Sequence, residues 1–145
     1  MALELTKLER AVMDALLDGD HPVLGILRQQ YAEAKVVSRE LSGVGFFTNF
    51  TVPESVPRLK EEIGLIGGVG AEVEGINHGA GFWLFLKDGH INMLEGFTYD
   101  DPWHDPDLAE DFQLSYHNLG PVERRTQRDR ATIEKSFSVN WPKVN

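Results

Sequence analysis

The first thirty residues place their hydrophobic side chains at helical spacing. One apolar stripe follows the helical period and consists of Leu8, Ala11, Val12, Ala15 and Leu16. Thr6 and Glu9 stand three residues apart at its start and have the form of a capping box, in which each side chain satisfies a free backbone N–H of the other residue. The pattern predicts a first helix over residues 6–18.

A second helix is predicted directly after the first. Gly19 can supply the left-handed residue that ends the first helix, and Asp20 can cap the next one. Pro22 would then sit in the first turn, where its missing N–H costs nothing. The buried face is predicted to hold Val23, Leu24, Ile26, Leu27 and Tyr31. We expect both helices to pack on a sheet.

After Ala34 the apolar positions begin to alternate with polar ones, which is typical of β-strands. Strands are predicted over residues 34–41, 44–52, 71–77, 112–118 and 133–141. Pro53 ends the second of them, and Gly120-Pro121 breaks the chain before the last. The glycine-rich residues 53–70 are expected to form a long irregular connection. They lack both the Gly-Lys-Ser/Thr ending of a P-loop and the spacing of a dinucleotide fingerprint, so no nucleotide site is predicted there.

The strongest local signal is Asp88-Gly89 between two apolar, aromatic-rich runs, which predicts a hairpin over residues 80–99. With these two residues as the loop, Lys87 pairs with His90 and Phe85 with Asn92. One face of the hairpin would then be buried and hold Phe82, Leu84, Leu86, Ile91, Met93 and also Glu95. The mixed face would hold Trp83, Phe85, Lys87, His90, Asn92 and Leu94.

These elements predict one α+β domain over residues 1–145. Two N-terminal helices would pack on a mostly antiparallel sheet of about five to seven strands, with the hairpin at 80–99 in its centre.

Composition narrows the classes of function. The chain has 145 residues, a net charge of −9 and no cysteine. Disulfides, thiolate nucleophiles and sulfur-bound zinc are therefore excluded. The negative charge argues against nucleic acid as a partner and is compatible with a basic protein. No signal peptide or membrane span is predicted, so we expect a cytoplasmic protein without a membrane partner.

Candidate chemistry concentrates in the segment after the hairpin. Carboxylates and a histidine occur there beside two aromatic residues, in the set Tyr99, Asp100, Asp101, Trp103, His104, Asp105 and Asp107. Such groups can supply a general acid and base or bind a divalent cation, and Asp100, Asp101 and His104 are the catalytic candidates. The competing interpretation is a solvated loop in which aspartates make side-chain turns beside prolines. No EF-hand spacing or HExxH motif is present, so we predict neither a metal nor a cofactor.

Glu95 is the fourth catalytic candidate, since a carboxylate on a buried face would have a raised pKa. Two structural alternatives are a β-bulge near Gly96 that turns it outward and an ion pair with an arginine. The basic stretch Arg124–Arg130 could face the acidic loop, either within one chain or across a homodimer. Alternatively, this basic stretch is a solvated connection that precedes the last predicted strand.

Five residues are candidates for binding: Trp83, His90, Tyr99, Trp103 and Asp105. Trp83 and His90 lie on the mixed face of the predicted hairpin, where a small ligand could bind. Ordinary packing of the aromatic residues in the sheet is the competing interpretation.

Two segments of the sequence resemble those of known proteins: GVGFFTNFTVP at 43–53 and HGAGFWLFLKDGHINMLEGFTYDDPW at 78–103. They resemble a family of short, uncharacterised bacterial proteins. In these, a similar hairpin ends in an LEG-aromatic-TY segment before an acidic, tryptophan-containing turn. The resemblance implies kinship of fold and assigns no catalytic residue.

The sequence favours a small acidic protein that acts by binding, either to a basic partner, as an immunity protein does when it neutralises a toxin, or to a second copy of itself. The alternative is a hydrolase that uses Glu95, Asp100, Asp101 or His104, with or without a metal. Whether the protein is an enzyme stays open, with binding preferred.

Overall fold

The computed structural model describes residues 4–106, 109–117, 119–122 and 128–138. They form an α+β fold in which helices pack on an antiparallel sheet, as predicted. The helices are α1 (Lys7–Leu16), α2 (Pro22–Glu33) and α3 (Arg130–Lys135). The strands are β1 (Lys35–Leu41), β2 (Gly45–Thr51), β3 (Leu65–Val73), β4 (Ala80–Lys87), β5 (His90–Thr98), β6 (Phe112–Tyr116), β7 (Gly120–Pro121) and β8 (Phe137–Ser138).

The N-terminal helices begin and end close to the predicted positions. The capping box is present, because Thr6 Oγ1 accepts a hydrogen bond from the Glu9 N–H while the Thr6 N–H donates to Glu9 Oε1. Gly19 lies between the helices with φ at +141°. The predicted cap of α2 was wrong by one residue. His21, not Asp20, is extended at the N-cap, and its Nδ1 accepts from the Val23 N–H at 3.1 Å.

The sheet has the strand order β1-β2-β5-β4-β3-β6-β7, so the 80–99 hairpin lies in its centre. Two different strands pair with β3 along the edge that faces away from β4. Residues 69–73 pair with β6, whereas Leu65 and Ile66 pair with β8. The prediction of an irregular connection reaching Gly70 was therefore wrong at its end, where the glycines lie inside a strand.

The hairpin turn is as predicted, with Asp88 and Gly89 both at positive φ. Lys87 pairs with His90, but a β-bulge then shifts the register, and Phe85 faces Met93 instead of Asn92. Because side chains alternate along a strand, one extra residue exchanges the two faces beyond the bulge. Met93 and Glu95 leave the predicted buried face, and Leu94 takes the position opposite Leu84.

The predicted strand at 133–141 was also wrong in its first part. Asp129 accepts from the Thr132 N–H and caps α3, so residues 130–135 are helical and only Phe137 and Ser138 pair as a strand. The rest of that prediction, from residue 139, lies outside the described residues. Gly120 and Pro121 do not break the sheet but pair with β6 as the short strand β7.

One face of the sheet packs against α1 and α2, and we call it the inner face. Its buried side chains include Phe46, Phe50, Ile66, Val69, Phe82, Leu84, Leu94, Leu114 and Tyr116. Helix α1 lies against β3 and β6, and α2 lies against β5. The opposite side, which we call the outer face, holds the half-buried side chains of Phe47, Trp83, Met93, Glu95 and Phe97.

Candidate functional site

The acidic segment after β5 is anchored through Asp101. Its Oδ2 accepts hydrogen bonds from the backbone N–H groups of Asn77, at 2.9 Å, and His78, at 3.1 Å. The His78 ring nitrogen Nδ1 lies 3.4 Å from the same oxygen. Thr98 Oγ1 donates to the Asp101 carbonyl and ties the turn to the end of the sheet. This catalytic candidate therefore joins two loops, which is a structural role.

Trp103 anchors the same segment in the core. Its side chain is buried, and its backbone N–H donates to the Gly43 carbonyl at 2.8 Å. The indole meets the Phe46 ring edge-on at a centroid distance of 5.9 Å. Most of the Trp103 side chain, which was predicted to bind a ligand, is therefore used in packing. The rest of it faces a cleft.

That cleft, which we call the acidic cleft, has a volume of about 430 Å³ and lies between the end of β3 and the segment before β6. It is lined by Val73, Glu74, Gly75, Ile76, Pro102, Trp103, His104, Asp105, Ala109, Glu110 and Asp111. Apolar side chains and a tryptophan therefore share one concave surface with four carboxylates.

Two of the carboxylates belong to Glu74 and Asp111, which the pairing of β3 with β6 brings together. The Glu74 N–H donates to the Asp111 carbonyl at 3.0 Å and continues the ladder past the strand end. A hydrogen bond between the two carboxyl groups, together with the Asp111 charge, raises the pKa of Glu74. The two exposed side chains thus concentrate negative charge at the rim of the cleft.

Few cations of the described chain approach this rim. Lys7 Nζ lies beside it, where it donates to the backbone carbonyl of Glu110 at 3.2 Å and stands 5.7 Å from the Phe112 ring centroid. Within the described ranges, the ion pair that reaches the acidic segment is that of His78 with Asp101. Among the residues that the structure describes, the rim carboxylates are therefore left largely uncompensated.

The predicted contact between the arginine stretch and the acidic loop is not made by Arg128. Its guanidinium donates to the carbonyls of Ala15, Leu16 and Asp18 at the end of α1, and it stands 4.4 Å from the Tyr116 ring. Carbonyls at a helix C-terminus attract a cation, which explains this position. Arg124 and Arg125 lie outside the described residues, as does Asp107 in the acidic loop.

The remaining catalytic candidates lie on different surfaces. Glu95 is half-buried on the outer face opposite Trp83, and burial raises its pKa. Asp100 is exposed beyond the end of β5, while His104 and Asp105 line the acidic cleft. In the described chain the structure therefore does not gather the four candidates around one cavity. The bulge that turns Glu95 outward lies at Asn92, earlier than the predicted position near Gly96.

The predicted binding residues Trp83 and His90 are also separated. Their positions are four pairs apart along the hairpin, which corresponds to about 13 Å. Trp83 lies nearly parallel to Phe97, with ring centroids 6.1 Å apart, whereas His90 stands beside the turn. The exposed Tyr99 contacts Phe97 edge-on at 5.6 Å and extends this aromatic row.

The sequence-based site missed Glu74, Val73 and Ile76. Glu74 was predicted only as an exposed strand residue, and nothing local to it indicates that β6 is its neighbour. Asp111 stood at the end of the acidic run, but its partner is 37 positions away in the chain (111 − 74 = 37). The long-range pairing that forms the cleft has no local signal.

Within the described ranges, no helix is both long and apolar enough to span a membrane, and no three potential metal ligands cluster. Comparison with known proteins gives no match to a family model, to a curated protein or to a solved structure. The resemblance to short bacterial proteins therefore stays a prediction, and the function must be argued from the geometry.

Proposed function

We propose that this protein acts by binding a basic protein partner, and that the acidic cleft receives an arginine or lysine side chain of that partner. The observation that carries the proposal is the Glu74–Asp111 pair. Two carboxyl groups that interact with each other stand at the rim of an apolar cleft, and the described chain provides little positive charge beside them.

The cleft suits the two parts of a long basic side chain. The methylene stem would pack on Val73, Ile76 and Trp103, because the stems of arginine and lysine cover apolar surface readily. The charged head would reach Glu74 and Asp111 and make charge-assisted contacts with both carboxylates. An arginine can hydrogen-bond two carboxylates through its planar fork, so it fits the pair better than lysine.

A basic toxin is one protein that could place such a side chain in the cleft. By neutralising the toxin, this protein would act as an immunity protein. The net charge of −9 supports fast encounter with such a partner. Cytoplasmic location and self-association as a homodimer remain proposals, and sedimentation of the free protein tests the second. We do not propose the hydrolase alternative. It requires a pocket that holds at least two of its four candidate side chains, whereas the described lining of the acidic cleft contains His104 alone of the four.

Calorimetric titration with a peptide of alternating glycine and arginine tests the proposal. The probe variant is Glu74→Gln/Asp111→Asn, and the matched control is Glu33→Gln/Glu54→Gln, which removes the same charge from exposed positions elsewhere. We expect the probe variant to bind about tenfold more weakly and the control to change by less than about twofold. Equal weakening by both variants would show that only net charge matters and would overturn the proposal.

A further inference from the structure

A second cavity lies at the edge of β3, in the gap where β6 gives way to β8. Its volume is about 380 Å³, which is within the range of small-molecule sites. It is lined by Gly67, Gly68, Trp83, Tyr116, His117, Leu119, Arg128, Thr132, Lys135 and Ser136. In a protein of net charge −9, the described lining of this cavity contains no carboxylate and three basic residues.

Arg128 forms one wall, and its guanidinium lies close enough to Asp18 for the carboxylate charge to oppose the effect of burial on its pKa. Its side chain is only 9% exposed, and burial lowers its pKa. Within the described chain its hydrogen bonds all leave from Nη2 and end on backbone carbonyls, and its ring contact is with the neutral Tyr116. The same side chain also lines the described cavity between β6 and β8, where it adds positive charge to that of Lys135.

Trp83 forms the flat wall of the cavity. A Cβ atom on Gly67 would lie 2.4 Å from Cζ3 of the indole, so the ring rests directly on the backbone of β3. Backbone bonds hold this surface on both sides, from the Gly67 N–H to the Ser136 carbonyl at 2.8 Å and from the His117 N–H to the Gly68 carbonyl at 3.0 Å. The indole is therefore positioned before any ligand arrives.

We infer that this cavity binds a small planar aromatic carboxylate. The aromatic ring would lie against Trp83, the carboxylate would meet Arg128 and the Lys135 ammonium at the rim, and Thr132 would offer a hydroxyl. The described linings of this cavity and of the acidic cleft have no residue in common, so the inference does not depend on the proposed partner.

Titration calorimetry with 2-naphthoate tests the inference, with 2-naphthamide as the uncharged ligand of the same shape. Arg128→Met could unfold the end of α1, so the charge is tested with the exposed Lys135→Met, and Lys87→Met is the matched control on a distant lysine. Trp83→Leu tests the flat wall, with circular dichroism to confirm that the variant folds.

We expect naphthoate to bind with a dissociation constant below about 1 mM and the amide at least about tenfold more weakly. Lys135→Met and Trp83→Leu should each weaken naphthoate binding several-fold, while Lys87→Met and Glu74→Gln/Asp111→Asn leave it unchanged. Absence of naphthoate binding, equal binding of the amide, or equal effects of the two lysine variants would overturn the inference.

Discussion

The Glu74 N–H donates to the Asp111 carbonyl at 3.0 Å where β3 and β6 leave the sheet, and the Asp111 carboxyl group raises the pKa of Glu74. Both side chains are exposed, so the contact does not arise from burial. It arises because backbone pairing places two acids at one strand end. The pair concentrates negative charge at the rim of the acidic cleft, and a basic ligand would relieve its repulsion.

Glu74 should make stability fall as pH rises. Its pKa is above the ordinary value of 4.5 in the folded protein, so the folded state holds this proton more tightly than the unfolded state. The resulting stabilisation is present below pH 4.5 and is lost as pH rises through the folded pKa. Glu74→Gln should therefore raise the melting temperature at pH 7 but not at low pH. Glu72→Gln, at an exposed position of β3, is the control. Identical pH profiles for both variants would contradict the assignment.

Arg39→Met should destabilise the fold strongly. The Glu9 carboxylate is 1% exposed and accepts hydrogen bonds from Arg39 and Thr48, which join α1 to β1 and β2. Loss of one partner of a buried ion pair costs about 3–5 kcal/mol. The measurement is urea unfolding, with the exposed Arg10→Met as control.

A second variant separates charge from packing in this network. In Glu9→Gln/Arg39→Met no carboxylate is left unpaired, and glutamine preserves the capping box. We expect the double variant to be more stable than Arg39→Met alone. If the double variant loses as much stability as Glu9→Gln and Arg39→Met lose together when measured separately, the unpaired buried charge is not the cause.

Gln30→Leu should loosen the hairpin tip from α2. The fully buried amide donates to the carbonyls of Pro57 and Gly89, at 2.9 and 2.8 Å, and accepts from the Ile91 N–H at 2.9 Å. The variant leaves these three backbone groups without their partner, at a cost of about 2–4 kcal/mol. Gln29→Leu changes the exposed neighbour in the same helix and should cost less than about 0.5 kcal/mol in denaturant unfolding. Similar losses for both would contradict this role.

Gly67→Ala should disturb the wall formed by Trp83. The new methyl group would overlap the indole, and a clash of this kind costs about 1–3 kcal/mol. Gly25→Ala is the matched control, because its methyl group would stand 3.8 Å from Arg28 and glycine weakens a helix interior. We expect thermal unfolding to show a loss for the first variant and a gain for the second. A gain for both would mean that Trp83 does not rest on Gly67.

Local signals predicted the parts of this fold that depend on neighbouring residues. The capping box of Thr6 with Glu9 and the Asp88-Gly89 turn are both present, because each is decided within a few positions. The bulge at Asn92 was not predictable in the same way. With or without the bulge, the strand places hydrophobic residues on one face of the hairpin. Contacts with β2 and the helices decide which of the two registers forms.

The site depended even more on distant contacts. The sequence identified an acidic segment and named Trp103, His104 and Asp105, which do line the cleft. It assigned chemistry to Asp101, which the structure uses to bind backbone N–H groups. Glu74 was missed, because its role follows from the pairing of β3 with β6. Composition thus indicated the charge of the surface, and topology determined where that charge is concentrated.

The most direct test of the proposed function is an amide-resolved NMR titration of the full chain with the glycine-arginine peptide at constant ionic strength. The account predicts that the largest shifts fall on the backbone of Val73, Ile76 and Ala109 and on the Trp103 indole N–H, and that they disappear in Glu74→Gln/Asp111→Asn. Small shifts spread over all acidic surfaces, including Glu40 and residues 54–62, would contradict it, because they would show attraction without a binding site.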